Sequence, residues 1–199
     1  MNSGTSHDYL RTLERVVTQT EVTDREGRQL PFEPEVVKLG RELRVMHDRG
    51  NRLFLIGNGG SAGICSHLAV DFSKNGGIRA LALNDSSVLT CLGNDYGYEQ
   101  VFSKQIEWQV AAGDIIVAIS SSGRSANILN GVTAARARGC AVYTLSGFAA
   151  DNPLRKTGDI NFYVADHTYG IVEIGHLTIL HMALDIEMGW RATPASKPR

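Results

Sequence analysis

No run of apolar residues reaches the length of about 18 that a membrane-crossing helix needs. The opening residues, MNSGTSHDYLRTLER, lack the basic head and apolar middle of a secretory leader. Neither sign of charge dominates. The 20 basic and 21 acidic residues leave a formal net charge of −1, which excludes the basic face of a nucleic-acid binder or a polybasic membrane patch. Cysteine is scarce: Cys65, Cys91 and Cys140 stand at irregular spacing, each in an apolar context. That excludes a disulfide framework and reads as reduced thiols, packed as small buried hydrophobes, in a cytoplasmic protein. Internal repeats are absent, and so is low complexity outside the polar tail of residues 191–199.

What is present is a chain of 199 residues, 43% hydrophobic, which suits one domain with a helical appendage. The spacing of Leu10, Leu13, Val16 and Val17 predicts a first helix over residues 8–23, and TDREGRQLPFEP reads as a polar break. Val36, Val37, Leu39, Leu43 and Met46 predict a second helix from about Glu35 to Asp48. From there apolar runs and helical patterns alternate: RLFLIG, IRALALN, DIIVAIS, CAVYTLSG and INFYVA read as strands, with helices between them and a long last helix from about Tyr169 to Trp190. The strands are continuous apolar runs, the mark of a parallel sheet covered on both faces. The expectation is a doubly wound α/β fold with a five-stranded parallel sheet, helices on both faces and N-terminal helices added. Residues 1–34 form the N-terminal helix and linker, and residues 35–190 the main domain. Ligands should bind at the carboxyl ends of the strands.

Three strand ends carry small polar residues: GNGGS (Gly57 to Ser61), GND (Gly93 to Asp95) and SSSGRS (Ser120 to Ser125). In the third, Ser120, Ser121, Ser122 and Ser125 set four hydroxyls around a turn at the start of a helix. Capping that helix needs one serine. Four hydroxyls beside free helix N–H groups make a phosphate site. The first turn is no nucleoside-triphosphate loop, because no Lys-Ser/Thr follows it. Gly57, Gly59 and Gly60 also miss the Gly-x-Gly-x-x-Gly spacing of a dinucleotide turn, and Asp85 comes late for its acidic partner. No nucleotide cofactor is expected.

His67 and Asp71 stand at i and i+4 on the helix that follows the glycine turn. On the last helix Glu173 and His176 stand at i and i+3, with His181 two turns beyond Glu173. Such residues on two helices suit a divalent metal or a general acid and base, and the spacing leaves both open.

GNGGSA with His67 and Asp71, LGNDYGYEQVFSKQ, GDIIVAISSSGRSANIL and EIGHLTILH together resemble the sugar-isomerase (SIS) fold. Most closely they resemble the phosphoheptose isomerase family, which converts sedoheptulose 7-phosphate to a heptose 7-phosphate. The resemblance spans about residues 35–190. It implies that Ser120, Ser121, Ser122 and Ser125 bind phosphate and that Asn58, Gly59, Gly60 and Ser61 line the sugar. It implies further that Asn94 and Asp95 hold the substrate and that His67 and His181 are the two active-site histidines. His181 would be the acid/base at one carbon of an enediol, with Asp71 or Glu173 as its carboxylate partner. A metal, zinc in some members, would be held by His67, Asp71, Glu173 and His181. The family also implies a homotetramer with sites shared between subunits. Three positions depart from its pattern: Asp71 replaces a Glu, Glu173 a Gln, and Gly170 an Asp. SIS folds also serve as non-catalytic modules that sense sugar phosphates or bind a partner, and as enzymes of other reaction types.

Overall fold

The computed structural model describes residues 4–191; the polar tail from 192 onward lies outside the described residues. Helix α1 (Ser6–Thr18) begins with a capping box in which Thr5 and Asp8 exchange side-chain-to-backbone hydrogen bonds. A short hairpin follows, β1 (Glu21–Asp24) and β2 (Gln29–Leu30), and then helix α2 (Phe32–Asp48). The alternating part consists of β3 (Leu53–Gly57), α3 (Gly60–Lys74), β4 (Ala80–Ala82), α4 (Ser86–Tyr96), α5 (Val101–Gln109), β5 (Ile115–Ser120), α6 (Ala126–Ala137), β6 (Ala141–Gly147), β7 (Ile160–Val164) and α7 (Tyr169–Glu187). Two single 3₁₀ turns, Tyr98–Gln100 and Pro153–Lys156, complete the connections.

The sheet order is β2-β1-β7-β6-β5-β3-β4. Strands β3 to β7 are the five expected ones, and they pair in parallel. The sheet nevertheless has seven strands, because TDREGRQL is a hairpin and not a polar break. β1 pairs antiparallel with β7, and β2 with β1. The turn holds because Asp24 accepts from the backbone N–H and the guanidinium of Arg28, while Gly27 supplies a φ of +81°. The charges of this hairpin hide its strand pattern, although Val22, Thr23 and Asp24 are buried.

Residues alternate between two buried layers along each central strand. Leu53, Leu55, Val117, Ile119 and Leu145 meet α2, α3 and α7. Phe54, Ile56, Ile116, Ala118 and Val142 meet α4, α5 and α6. Because both faces are buried, the strands read as nearly unbroken apolar runs; the buried exceptions Thr144 and Ser146 of β6 are hydrogen-bonded to Asn161 of β7. After β4 the chain crosses to the far side of β3 to make β5. The strand order therefore reverses between β3 and β5, and α3 and α6 leave toward opposite faces. A crevice at the carboxyl ends of these two strands is the expected ligand position in such a sheet.

Helix α2 packs against α7 through a glycine. A Cβ at Gly40 would run into the carbonyl oxygen of Ala183 and would lie 3.1 Å from Glu187 Cβ. Gly40→Ala should therefore push the two helices apart and destabilise the fold by about 2 kcal/mol. Thermal unfolding should record this as a fall in Tm of roughly 4–8 °C. An unchanged Tm would show that the contact between α2 and α7 yields without cost.

Candidate active site

The turns that follow β3 and β5 lie side by side, since Gly57 is level with Ile119 in the parallel register. After β3, Gly59 takes φ +53° and ψ −122°, which a side chain would strain, and α3 starts at once. Gly57 also admits no side chain, because a Cβ there would come within 2.8 Å of the Ser61 backbone. After β5 the chain turns through Gly123 at φ +61°, whose N–H donates to the carbonyl and hydroxyl oxygens of Ser120 at 3.0 and 3.2 Å. Ser125 takes the N-cap position of α6 without using its side chain as a cap. Its hydroxyl instead lies 3.4 Å from that of Ser120.

A pocket of about 240 Å³ opens between the two turns, lined by Asn58–Ser61, Ile119–Ser122, Ser125, Tyr169 and Glu173. Among the described residues no lysine or arginine lines it. The hydroxyl of Ser121 is buried there with no hydrogen-bond partner among the described residues. A buried hydroxyl left unpaired is costly, so its partner is expected to come from a ligand. Hydroxyls and helix N–H groups without a fixed cation are the donor set for an oxyanion such as phosphate. Asn58 is itself held by Asn127 and Tyr98. Neither partner stands out in the sequence; the only signal is an asparagine placed just inside the helix that follows the serine turn.

Beyond the pocket, α3 and α7 bring three side chains together. His67 Nε2 lies 3.1 Å from His181 Nε2 and 3.1 Å from Asp71 Oδ2, and His181 Nε2 lies 3.7 Å from the same oxygen. The ligand atoms of these three residues converge on one point. In a tetrahedral zinc site, bonds of about 2.0–2.1 Å place neighbouring ligand atoms roughly 3.3 Å apart. Two imidazoles and a carboxylate at this spacing fit such an ion and leave a fourth position for substrate or water. Glu173 does not join them. It stands eight residues before His181 on α7, about 12 Å along the axis, and its carboxylate packs on Gly60 at the start of α3, inside the serine pocket.

Helix α7 is seated by His176, which is fully buried and hydrogen-bonds through Nε2 to the carbonyl oxygen of Ser146 at the end of β6, at 3.0 Å. Its Nδ1 has no partner. Burial pushes its pKa down from 6.5 to about 4. His176, which the sequence spacing paired with Glu173, is thus part of the core and outside the site.

Residues 33–147 match the SIS domain family model. The phosphoheptose isomerase of Pelobacter propionicus is 35% identical over 166 residues, 80% of this chain and 86% of that one. That of Geotalea uraniireducens is 37% identical over 159 residues, 77% and 84% of the two chains. The structure of the phosphoheptose isomerase from Neisseria gonorrhoeae superposes with a TM-score of 0.78 at 28% identity, covering 92% of this chain and 97% of the other. The chain belongs to the phosphoheptose isomerase family.

Against that family's pattern the departures are now located. Asp71 stands in the three-residue cluster, where its shorter side chain still reaches both histidines. At Gly170 a Cβ would meet the Tyr9 hydroxyl of α1 at 2.9 Å, so a larger residue there would displace the exposed Tyr9 side chain. Asn94 and Asp95 lie in the last turn of α4 and not in a loop; Asn94 Nδ2 donates to Asp95 Oδ1 at 2.8 Å, and neither lines the serine pocket. Cys65 and Cys140 are buried as expected, but Cys91 is exposed on α4, which packs inward through Leu92 with Val88 and Leu89 partly buried. Asp85 is the N-cap of α4, accepting from the N–H groups of Ser87 and Val88, which accounts for it without a nucleotide.

His176 also sets a pH dependence. Folded, it stays neutral down to about pH 4; unfolded, it takes up a proton below about 6.5. Its contribution is therefore complete above pH 6.5 and is lost as the pH falls toward 4, a change on the order of 3 kcal/mol. Guanidinium unfolding at pH 7 and pH 4.5 should show a lower midpoint in acid. His176→Gln should remove much of that difference, and an equal acid shift in the variant would assign the effect to other groups.

Proposed function

We propose that the protein isomerises sedoheptulose 7-phosphate to a D-glycero-heptose 7-phosphate through an enediol. The observation that carries this reading is the buried, unpartnered Ser121 hydroxyl in a cation-free serine pocket, beside a second cluster of ionisable groups, in a chain of the phosphoheptose isomerase family. The separation along α7 suits the substrate. Glu173 marks the phosphate pocket and His181 the cluster, and a sugar with its phosphate and carbonyl at opposite ends spans the two. The serine turn fixes the phosphate, so that remote binding energy holds the reacting carbons in place.

At the cluster, Asp71 removes the C1 proton of the ketose as general base, with His67 beside it. His181, on the opposite side of the same point, moves the proton between the two substrate oxygens as the double bond shifts. Asp71 then returns a proton to C2. Glu173 faces the sugar from the phosphate end. A zinc ion held by His67, Asp71 and His181 would, when bound, polarise the carbonyl oxygen and stabilise the enediolate. The SIS domain takes in residues 35–190, Asn94 and Asp95 close the substrate site, and the enzyme works as a cytoplasmic homotetramer. Exposed apolar side chains on α1 and α7 support self-association: Leu10 is 62%, Tyr169 64% and Ile174 38% exposed. No helix of the described residues is long and apolar enough to cross a membrane.

Purified protein incubated with sedoheptulose 7-phosphate should form the aldose. Asp71→Asn and His181→Ala should each lower kcat by about 10²-fold or more, and Ser121→Ala should act mainly on KM. Elemental analysis should find about one zinc ion per chain, and light scattering a tetramer. Absence of turnover on a panel of ketose phosphates, with and without added zinc, would overturn the reading.

A further inference from the structure

Asn58 carries its side-chain amide into a set of hydrogen bonds that no substrate contact explains. Its Nδ2 donates to Asn127 Oδ1 at 2.9 Å, and Asn127 Nδ2 donates back to Asn58 Oδ1 at 2.9 Å. The Tyr98 hydroxyl donates to the same Asn58 Oδ1 at 3.2 Å. Ile128 N–H donates to Asn127 Oδ1 at 3.0 Å, which fixes the direction of both amides, since a flip would set donor against donor. Asn127 is only 3% exposed. A buried amide with this many partners holds its geometry tightly, because any displacement leaves a buried polar group unpaired.

The three residues come from three different strand-end connections. Asn58 belongs to the glycine turn after β3. Asn127 stands in the first turn of α6, directly after the serine turn. Tyr98 opens the 3₁₀ turn that follows α4, the helix bearing Asn94 and Asp95, and that turn is tied to α6 a second time by Asn130 Nδ2 donating to the carbonyl oxygen of Glu99 at 2.9 Å. Neither Asn127 nor Tyr98 lines the pocket.

We propose that Asn127 and Tyr98 are positioning residues: through Asn58 they lock the sugar-side turn and the α4 connection in register with the phosphate-binding serine turn. The proposal rests on the sugar-phosphate reading of the site. It predicts a split that general loosening of the fold would not give. On this proposal inorganic phosphate would need only the serine turn, whereas a sugar phosphate would engage all three connections at once.

The test uses Asn127→Ala, Tyr98→Phe and the double variant. Tyr98 is 57% exposed, so Tyr98→Phe removes one hydroxyl with no threat to folding even if Asn127→Ala fails to fold. Calorimetry should find the affinity for inorganic phosphate within about twofold of the wild type in each folded variant. Affinity for sedoheptulose 7-phosphate, and kcat/KM where turnover is seen, should fall by about fivefold for Tyr98→Phe and more for Asn127→Ala, the scale of one or two net hydrogen bonds. The double variant should lose less than the product of the single losses, since both act through Asn58. Wild-type turnover reports on the isomerase reading alone, and the ratio of variant to wild-type binding reports on the clamp. Wild-type affinity for the sugar phosphate in Tyr98→Phe, or equal loss of phosphate and sugar-phosphate binding, would overturn the proposal.

Discussion

The parallel pairing of β3 with β5 governs the rest of this structure. The two strands are sequence neighbours of β4 and not of each other, so the chain must leave β3 on one face and arrive at β5 from the other. Their registers end level, and the turns that follow them are held a few residues apart with their helices diverging. That divergence leaves a crevice which nothing in the sheet can fill. Glycines and serines occupy it because backbone and ligand must approach closely there. Gly57 admits no side chain against the Ser61 backbone, a Cβ at Gly60 would displace the Glu173 carboxylate, and Gly123 would be obstructed by Asn152 beneath it.

Helix α7 supplies the other half of the site, and its seat is polar where most of the core is apolar. His176 reaches from its buried face to the end of β6, while Gly40 and Gly175 let α2 and β7 approach it closely. A helix fixed at that point presents Glu173 to the serine pocket and His181 to His67 and Asp71. On the proposed reading, phosphate recognition and proton transfer are divided along one rigid element. The division suits a substrate whose charge and carbonyl are far apart. Asp71 gains from the same rigidity: a short carboxylate can serve only where its neighbours are held within reach, and both histidines are.

Much of this was legible in the sequence, for physical reasons that also mark where legibility stopped. Burial on both faces makes most central strand positions apolar, so the five parallel strands announce themselves. The serine turn is visible because four hydroxyls exceed what a cap requires. The β1–β2 hairpin is not visible, since an edge strand with one solvated face and charged turn residues looks like a linker. Residue type and spacing group Glu173 with His67, Asp71 and His181, but helix rise along α7 sets it about 12 Å from His181, and the converging cluster is His67, Asp71 and His181. Asn127 escaped because an asparagine near a helix start ordinarily serves as a cap; its pairing with Asn58 depends on two turns 69 residues apart meeting across β3 and β5.

The proposed hydrogen transfer through a protein base at the His67–Asp71–His181 cluster would leave a trace in the product. When the protein is incubated with sedoheptulose 7-phosphate in D₂O, proton NMR should show the aldose forming with deuterium at C2, because the proton held by Asp71 exchanges with solvent before it is returned. An aldose product that retains the transferred hydrogen fully would contradict a proton-transfer route through Asp71, and the absence of both aldose formation and exchange would contradict the isomerase assignment itself.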